Sequence, residues 1–135
     1  MANKKTKLTR RTPSSAFSEK QRNSNLLGAL AYVLGAITGI IMYFVRNNDP
    51  FVRFHAIQSI MFSVAVLILH VATTMILGVL TILTLGIGII LIPIMFIIIG
   101  FGSFVVWIYV MYKAILGEKY RLPIIGELAD RYSGS

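Results

Sequence analysis

Asp49-Pro50-Phe51-Val52-Arg53-Phe54-His55-Ala56-Ile57-Gln58-Ser59 contains the last charge before a run of 59 residues, Phe54–Tyr112, with no Lys, Arg, Asp or Glu. Its reading decides the fold. Asn47 and Asn48 tolerate the left-handed conformation that ends a helix. Asp49 is a strong N-cap, and Pro50 suits a first helical position, where its missing N–H costs nothing. One helix therefore ends near Arg46 and another begins at Pro50. At about 100° per residue, His55, Gln58, Ser59 and, further on, Thr73 share one sector of that second helix. Arg53 points nearly the opposite way, toward lipid headgroups or phosphate.

Downstream, the charge-free run would extend about 88 Å as helix, against a hydrocarbon thickness of about 30 Å. Two crossings fit with slack; three fit only with almost no connecting residues. Thr84-Leu85-Gly86-Ile87-Gly88 is the best turn, because two close glycines weaken helix. Pro93 is expected to kink the last helix, and Gly100 and Gly102 to thin it. Trp107, Tyr109 and Tyr112, followed by Lys113, form an interfacial aromatic belt at its exit. Gly117 stops it. Apolar Leu122, Ile124, Ile125, Leu128 and Tyr132 alternate with Glu127, Asp130 and Arg131, as in a short amphipathic segment after Pro123 that lies on a membrane surface.

Upstream, Leu26–Val45 is apolar for about the length of a crossing. Ala31, Gly35 and Gly39, four residues apart, form a smooth helix-packing strip, for tight packing within the chain or for dimerisation. Residues 1–25 are polar and basic with Pro13 and one acid, Glu19. Such a composition cannot build a core and reads as a disordered tail. Arg46-Asn47-Asn48-Asp49-Pro50 offers no small-residue cleavage site after Val45, so the first apolar segment is expected to be retained rather than removed as a signal peptide.

The mean hydropathy of +0.78 and the 56% of hydrophobic residues exceed what a soluble chain of 135 residues can cover, so the class is an integral membrane protein. Its net charge of +8 lies in tails and links flanking apolar runs. That pattern signals topology and attraction to anionic lipid headgroups, not a nucleic-acid surface. With no cysteine, disulfide, thiolate and cysteine–metal chemistry are absent. The positive-inside rule sets the two ends of the long hairpin on the cytoplasmic side, with six cations: Arg46, Arg53, Lys113, Lys119, Arg121 and Arg131. The tail carries the other seven: Lys4, Lys5, Lys7, Arg10, Arg11, Lys20 and Arg22. If Leu26–Val45 crosses, these two groups lie on opposite sides in near balance. The conflict disappears if the first segment dips in and returns, or if the long run crosses three times.

Chemistry is sparse. His55 and His70 are about 22 Å apart along one helix and cannot share a metal there; each is expected to hydrogen-bond to a neighbouring helix or to interfacial water. No motif supplies Ser59, Ser63 or Ser103 with an oriented base and an oxyanion hole. No acid occurs between Asp49 and Glu118, which argues against intramembrane carboxylate chemistry and against a proton- or sodium-coupled transporter. No catalytic, cofactor-binding or metal residue is expected. The candidate functional face is Arg53, His55, Gln58 and Ser59.

Phe51–Ser59, the two-helix run, and then Ala114-Ile115-Leu116-Gly117-Glu118-Lys119-Tyr120-Arg121-Leu122-Pro123 together resemble a known family. It is that of the chloroplast inner-envelope protein import component, the Tic-twenty subunit, with its small bacterial and archaeal relatives. The resemblance covers Leu26 to Tyr132; its C-terminal motif is Gly117, Tyr120 and Pro123. It implies four spans and a part in a protein-conducting complex, although this chain has one apolar segment before Arg53-Phe54-His55 where the plant proteins have two.

The reading is an all-α integral membrane protein with three transmembrane helices (about 26–45, 54–83 and 89–113), four being the alternative. It has a disordered basic tail (1–25), one helical membrane domain (26–132) and a short amphipathic C-terminal segment. The expected function is a non-enzymatic component of a membrane complex, linked to protein translocation or insertion; the alternative is a homo-oligomeric pore. Expected partners are the bilayer, anionic headgroups, and the protein itself or other membrane proteins. The expected location is a prokaryotic plasma membrane, with an organelle inner membrane as the alternative.

Overall fold

Asp49 caps the helix that its position calls for: its carboxylate accepts the N–H groups of Phe51 (3.0 Å) and Val52 (3.3 Å), with Pro50 in the first turn. The helix before it ends at Val45. In the computed structural model, which describes residues 13–134, there are five helices and, among those residues, no strand. They are α1 (Pro13–Leu30), α2 (Ala36–Val45), α3 (Pro50–Leu83), α4 (Ile87–Ile115) and α5 (Ile125–Ser133). Asn47 and Asn48 close the α2–α3 link without left-handed backbone, since among the described non-glycine residues only Leu85 and Ile124 have positive φ.

Two helices, α3 and α4, are long and apolar enough to span a membrane, not three. They form the expected hairpin, turning at Thr84–Gly86, where Leu85 (φ 53°) and Gly86 (φ 111°) are left-handed. Near the turn, a Cβ on Gly88 would meet the Leu77 carbonyl at 2.7 Å and the Thr81 hydroxyl, so only glycine lets the helices approach there. Pro93 lies inside α4 without ending it.

The first apolar segment is not a span. Residues 31–35 are turns, and Gly35 has φ +60°. The Thr38 hydroxyl secures the break, accepting from Leu34 N–H (3.1 Å) and lying within hydrogen-bond distance of the carbonyls of Ala31 (3.1 Å) and Gly35 (3.3 Å). The remaining ten residues of α2 reach about 15 Å, half a hydrocarbon core. Contacts along α3 trace the path. Ser24 bonds to Asp49 (2.6 Å), Tyr32 meets His55 and Gln58, and Gly35 reaches Ser59 and Ser63. The chain then comes back, with Gly39 against Ala56 and Ile60, and Tyr43 against Phe54 and Arg53. It is a hairpin laid on the first half of α3.

The disordered tail is corrected over residues 13–25, which are the first two-thirds of α1; residues 1–12 lie outside the described residues. Composition counted too few apolar residues to make this segment fold. What orders it is attachment: Ser24 to Asp49, and Asn25 Nδ2 to the Ile115 carbonyl (3.3 Å), from which helix propagates cheaply once nucleated. Because Asp49 caps α3 and receives Ser24, Asp49→Ala is expected to cost about 1–2 kcal/mol, lowering the melting temperature in detergent, while Ser24→Ala costs less because the cap survives.

The core lies wholly at one end. Ala29, Tyr32, Val110, Ala114 and Leu122 pack together, and Phe54 and Ile57 pack with Ala129 of α5. After Ser63 α3 has twenty residues left, and α4 has twenty before Trp107. Each stretch spans about 30 Å, one hydrocarbon thickness. Within these stretches only Gly88 is buried, and the apolar side chains face outward: Leu85 at the tip is 100% exposed and Ile82 79%. The molecule is an apolar two-helix stalk carrying a packed cap.

Candidate functional site

Of the four polar residues expected to form a contact face, three are inside the cap. His55 and Gln58 have 0% exposure and Ser59 1%. The helical spacing does bring them onto one sector, and that sector is covered by the hairpin. Gln58 Nε2 donates to the Tyr32 hydroxyl (3.1 Å) and to the Tyr120 carbonyl (3.0 Å), joining three separate chain segments. The Tyr32 hydroxyl lies 3.2 Å from His55 Nδ1. Ser59 donates to the Gly35 carbonyl (3.0 Å) at the tip of the hairpin. The rings of Tyr32, Phe51 and Phe54 all meet His55 edge-on, at centroid distances of 5.7, 4.5 and 5.0 Å. Only Arg53 points away, its Nη2 near the Tyr132 carbonyl (3.4 Å) and its guanidinium over Tyr43 (5.6 Å). It is held between α2 and α5 rather than reaching out to headgroups.

Among the described residues, three buried side-chain polar atoms have no hydrogen-bond partner: His55 Nε2, Gln58 Oε1 and Arg53 Nε. Unmet buried groups cost about 1–3 kcal/mol each, so the cluster is held in place by its packing as well as its bonds.

The packing strip is divided. Ala31 is buried in the turn, Gly35 forms the bend, and Gly39 lies in α2 with its would-be Cβ 2.9 Å from the Ala56 carbonyl. All three serve close packing within the chain. The C-terminal motif is also structural. Gly117 (φ +78°) turns the chain where a Cβ would strike Asn25, the Tyr120 carbonyl receives Gln58 and its ring meets Tyr109, and Pro123 leads into α5. His70 bonds back to the Val66 carbonyl (2.8 Å) and packs on Phe96 of α4. Among the described residues, no three His, Cys, Asp or Glu side chains group to hold a metal.

Tyr32, which sequence reasoning passed over, and Trp107, which it read only as an interfacial aromatic, hold the site together. Tyr32 is the hub of the cluster, and the Trp107 indole donates to the Tyr32 carbonyl at 2.6 Å, pinning the hairpin to α4. The signal for Tyr32 was present: its hydroxyl interrupts the apolar run Leu26–Val45, and a phenol placed there needs a partner.

The cap gathers the charge. All eight Lys and Arg among the described residues (Lys20, Arg22, Arg46, Arg53, Lys113, Lys119, Arg121 and Arg131) lie at this end, and the turn Thr84–Gly86 carries none. Acids neutralise part of it through Lys113–Glu118 (2.7 Å), Arg121–Asp130 and Arg131–Glu127.

These features define a small helical membrane protein: an apolar two-helix hairpin with a polar-centred, basic cap. It belongs to the MamF/MmsF family, described as the magnetosome magnetite crystal formation protein family, which residues 23–129 match. Similar curated proteins are archaeal. A UPF0132 membrane protein of Methanocaldococcus jannaschii is 37% identical over 111 residues, covering 82% of this chain and 89% of that protein. A UPF0132 membrane protein of Archaeoglobus fulgidus is 36% identical over 110 residues, covering 82% and 95%. No solved structure matches.

The Tic-twenty resemblance is thereby corrected: the matches point to the MamF/MmsF and UPF0132 proteins, and none to the import component. The link to protein transport rested on that resemblance and goes with it. The physical reason lies in what the motif residues do. Phe54, His55, Gln58, Gly117 and Pro123 close a helix cap, a task that carries no information about cargo.

Proposed function

We propose that the protein is a non-enzymatic membrane component: a two-span anchor that holds a basic cap at the cytoplasmic membrane surface, where it associates with other membrane proteins. The observation that carries this reading is the one-sided charge. With the first apolar segment re-entrant, the cations of the tail and of the hairpin ends no longer oppose each other, and the positive-inside rule is obeyed without conflict. Trp107, at the boundary between stalk and cap, sits where an interfacial aromatic belongs. α2 turns Ile37, Ile40, Ile41 and Phe44 outward, as a helix does when lying at the headgroup–acyl boundary.

His55, Gln58 and Ser59 are, in this reading, an internal clamp, and the surface for partners is the outer face of the cap and stalk. The homo-oligomeric pore is favoured less, because the polar stripe that would line water is spent inside one chain. The mineral-forming part of the family description is not carried over, since Asp49, Glu118, Glu127 and Asp130 are engaged in capping or ion pairs. The test is photocrosslinking in membranes from benzoylphenylalanine at Phe44 and Phe101, both outward-facing. Adducts to a different membrane protein are expected. Adducts to this chain alone would replace the complex with a homo-oligomer.

A further inference from the structure

A cavity lies beside the clamp. It is open, about 760 Å³ in volume, and set between α1, the α2–α3 link and the α4–α5 link. Three cations from those three segments line it: Lys20, Arg46 and Lys119. None of them forms a salt bridge with a described residue, in contrast to Lys113, Arg121 and Arg131. The one acid on the wall, Asp49, is already engaged by the Ser24 hydroxyl and two backbone N–H groups, and Glu19 borders the adjoining cavity instead. The lining is also aromatic and outward-facing, with Phe17 71% and Phe44 75% exposed. Phe44 continues the apolar face of α2.

We propose that this cavity binds the headgroup of an anionic phospholipid, its phosphate among Lys20, Arg46 and Lys119 and its acyl chains running down α2 past Phe44. The volume suits a small-molecule headgroup. Cations without a carboxylate partner, converging from separate segments, supply the anion selectivity; Lys119 Nζ rests over the Phe54 ring at 5.7 Å, and long basic side chains with apolar stems suit the membrane boundary. A free phosphate would use the cations and leave the aromatic wall in water; a phospholipid uses both, which is why the lipid is the favoured source. The role extends the surface placement above: a lipid clamped between α1 and the α2–α3 link ties the re-entrant hairpin to the inner leaflet. It rests on that placement, which cysteine labelling tests separately.

The test is native mass spectrometry of the full chain in detergent, with phosphatidylglycerol and phosphatidylcholine as competing probes. One phosphatidylglycerol is expected to stay bound under activation that strips phosphatidylcholine. Each cation near such a headgroup is worth about fivefold, so Arg46→Gln with Lys119→Gln should weaken retention about twenty-five-fold. Lys20→Gln alone, on a different helix, should weaken it about fivefold. Arg22→Gln with Arg131→Gln removes the same charge outside the cavity and should leave retention unchanged, and unaltered Trp107 emission checks the fold of every variant. Equal loss in the Arg22/Arg131 pair, full retention in Lys20→Gln, or displacement of the lipid by millimolar inorganic phosphate would each overturn the proposal.

Discussion

A membrane-impermeant maleimide is expected to label single cysteines at Ser18 and Asn48 from the same side of the membrane. Both positions are exposed, in α1 and in the α2–α3 link, and there is no native cysteine to interfere. The outcome is all-or-none. If residues 26–45 crossed the bilayer, the two positions would label from opposite sides, and that result would remove the re-entrant hairpin. The physical basis is length. After Gly35 breaks the helix, α2 has ten residues, and about 15 Å of helix cannot cross about 30 Å of hydrocarbon. The backbone groups freed at residues 31–35 are met by Thr38, Ser59 and Trp107, the condition under which irregular backbone is tolerated at membrane depth.

Gln58→Leu is expected to be the most damaging single substitution in the cap. It removes the donor to both the Tyr32 hydroxyl and the Tyr120 carbonyl. The Tyr32 hydroxyl then keeps only His55 and the part-buried Tyr120 carbonyl loses its side-chain donor, at about 1–3 kcal/mol for each group left unmet. Trp107 is the only tryptophan, and its indole bonds to the hairpin at Tyr32, so its emission reports the hairpin directly. The variant should melt earlier and show a shifted Trp107 emission below the main transition, because the hairpin detaches while α3 and α4 remain paired in detergent. Gly39→Val should reproduce the shift by a different route, since its Cβ would sit 2.9 Å from the Ala56 carbonyl and overpacking costs about 1–3 kcal/mol. An unshifted Trp107 in both variants would show that the clamp does not hold the hairpin.

Sequence alone determined the features that depend on local chemistry or on composition. Asp49 and Pro50 marked the start of α3, Thr84–Gly88 the turn of the stalk, and the charge-free run the lipid-facing hairpin. These are legible because a cap, a glycine pair or an uninterrupted apolar run acts within a few residues of itself. The sector shared by His55, Gln58 and Ser59 was legible as well, since it follows from the period of a helix.

What covers that sector was decided only by the tertiary structure. Leu26–Val45 has the length and hydropathy of a span, and an apolar segment that crosses looks the same in composition as one that bends at Gly35 and returns. The difference is made by partners far along the chain: Ser59 for the Gly35 carbonyl, Trp107 for the Tyr32 carbonyl, and Tyr120 for Gln58. The same holds for residues 13–25, whose composition predicts disorder and which are helical because Ser24 and Asn25 are tied to α3 and α4. Hydrogen bonds between residues 24 to 90 positions apart leave no periodic trace, so they turned an expected contact face into the interior and three expected spans into two.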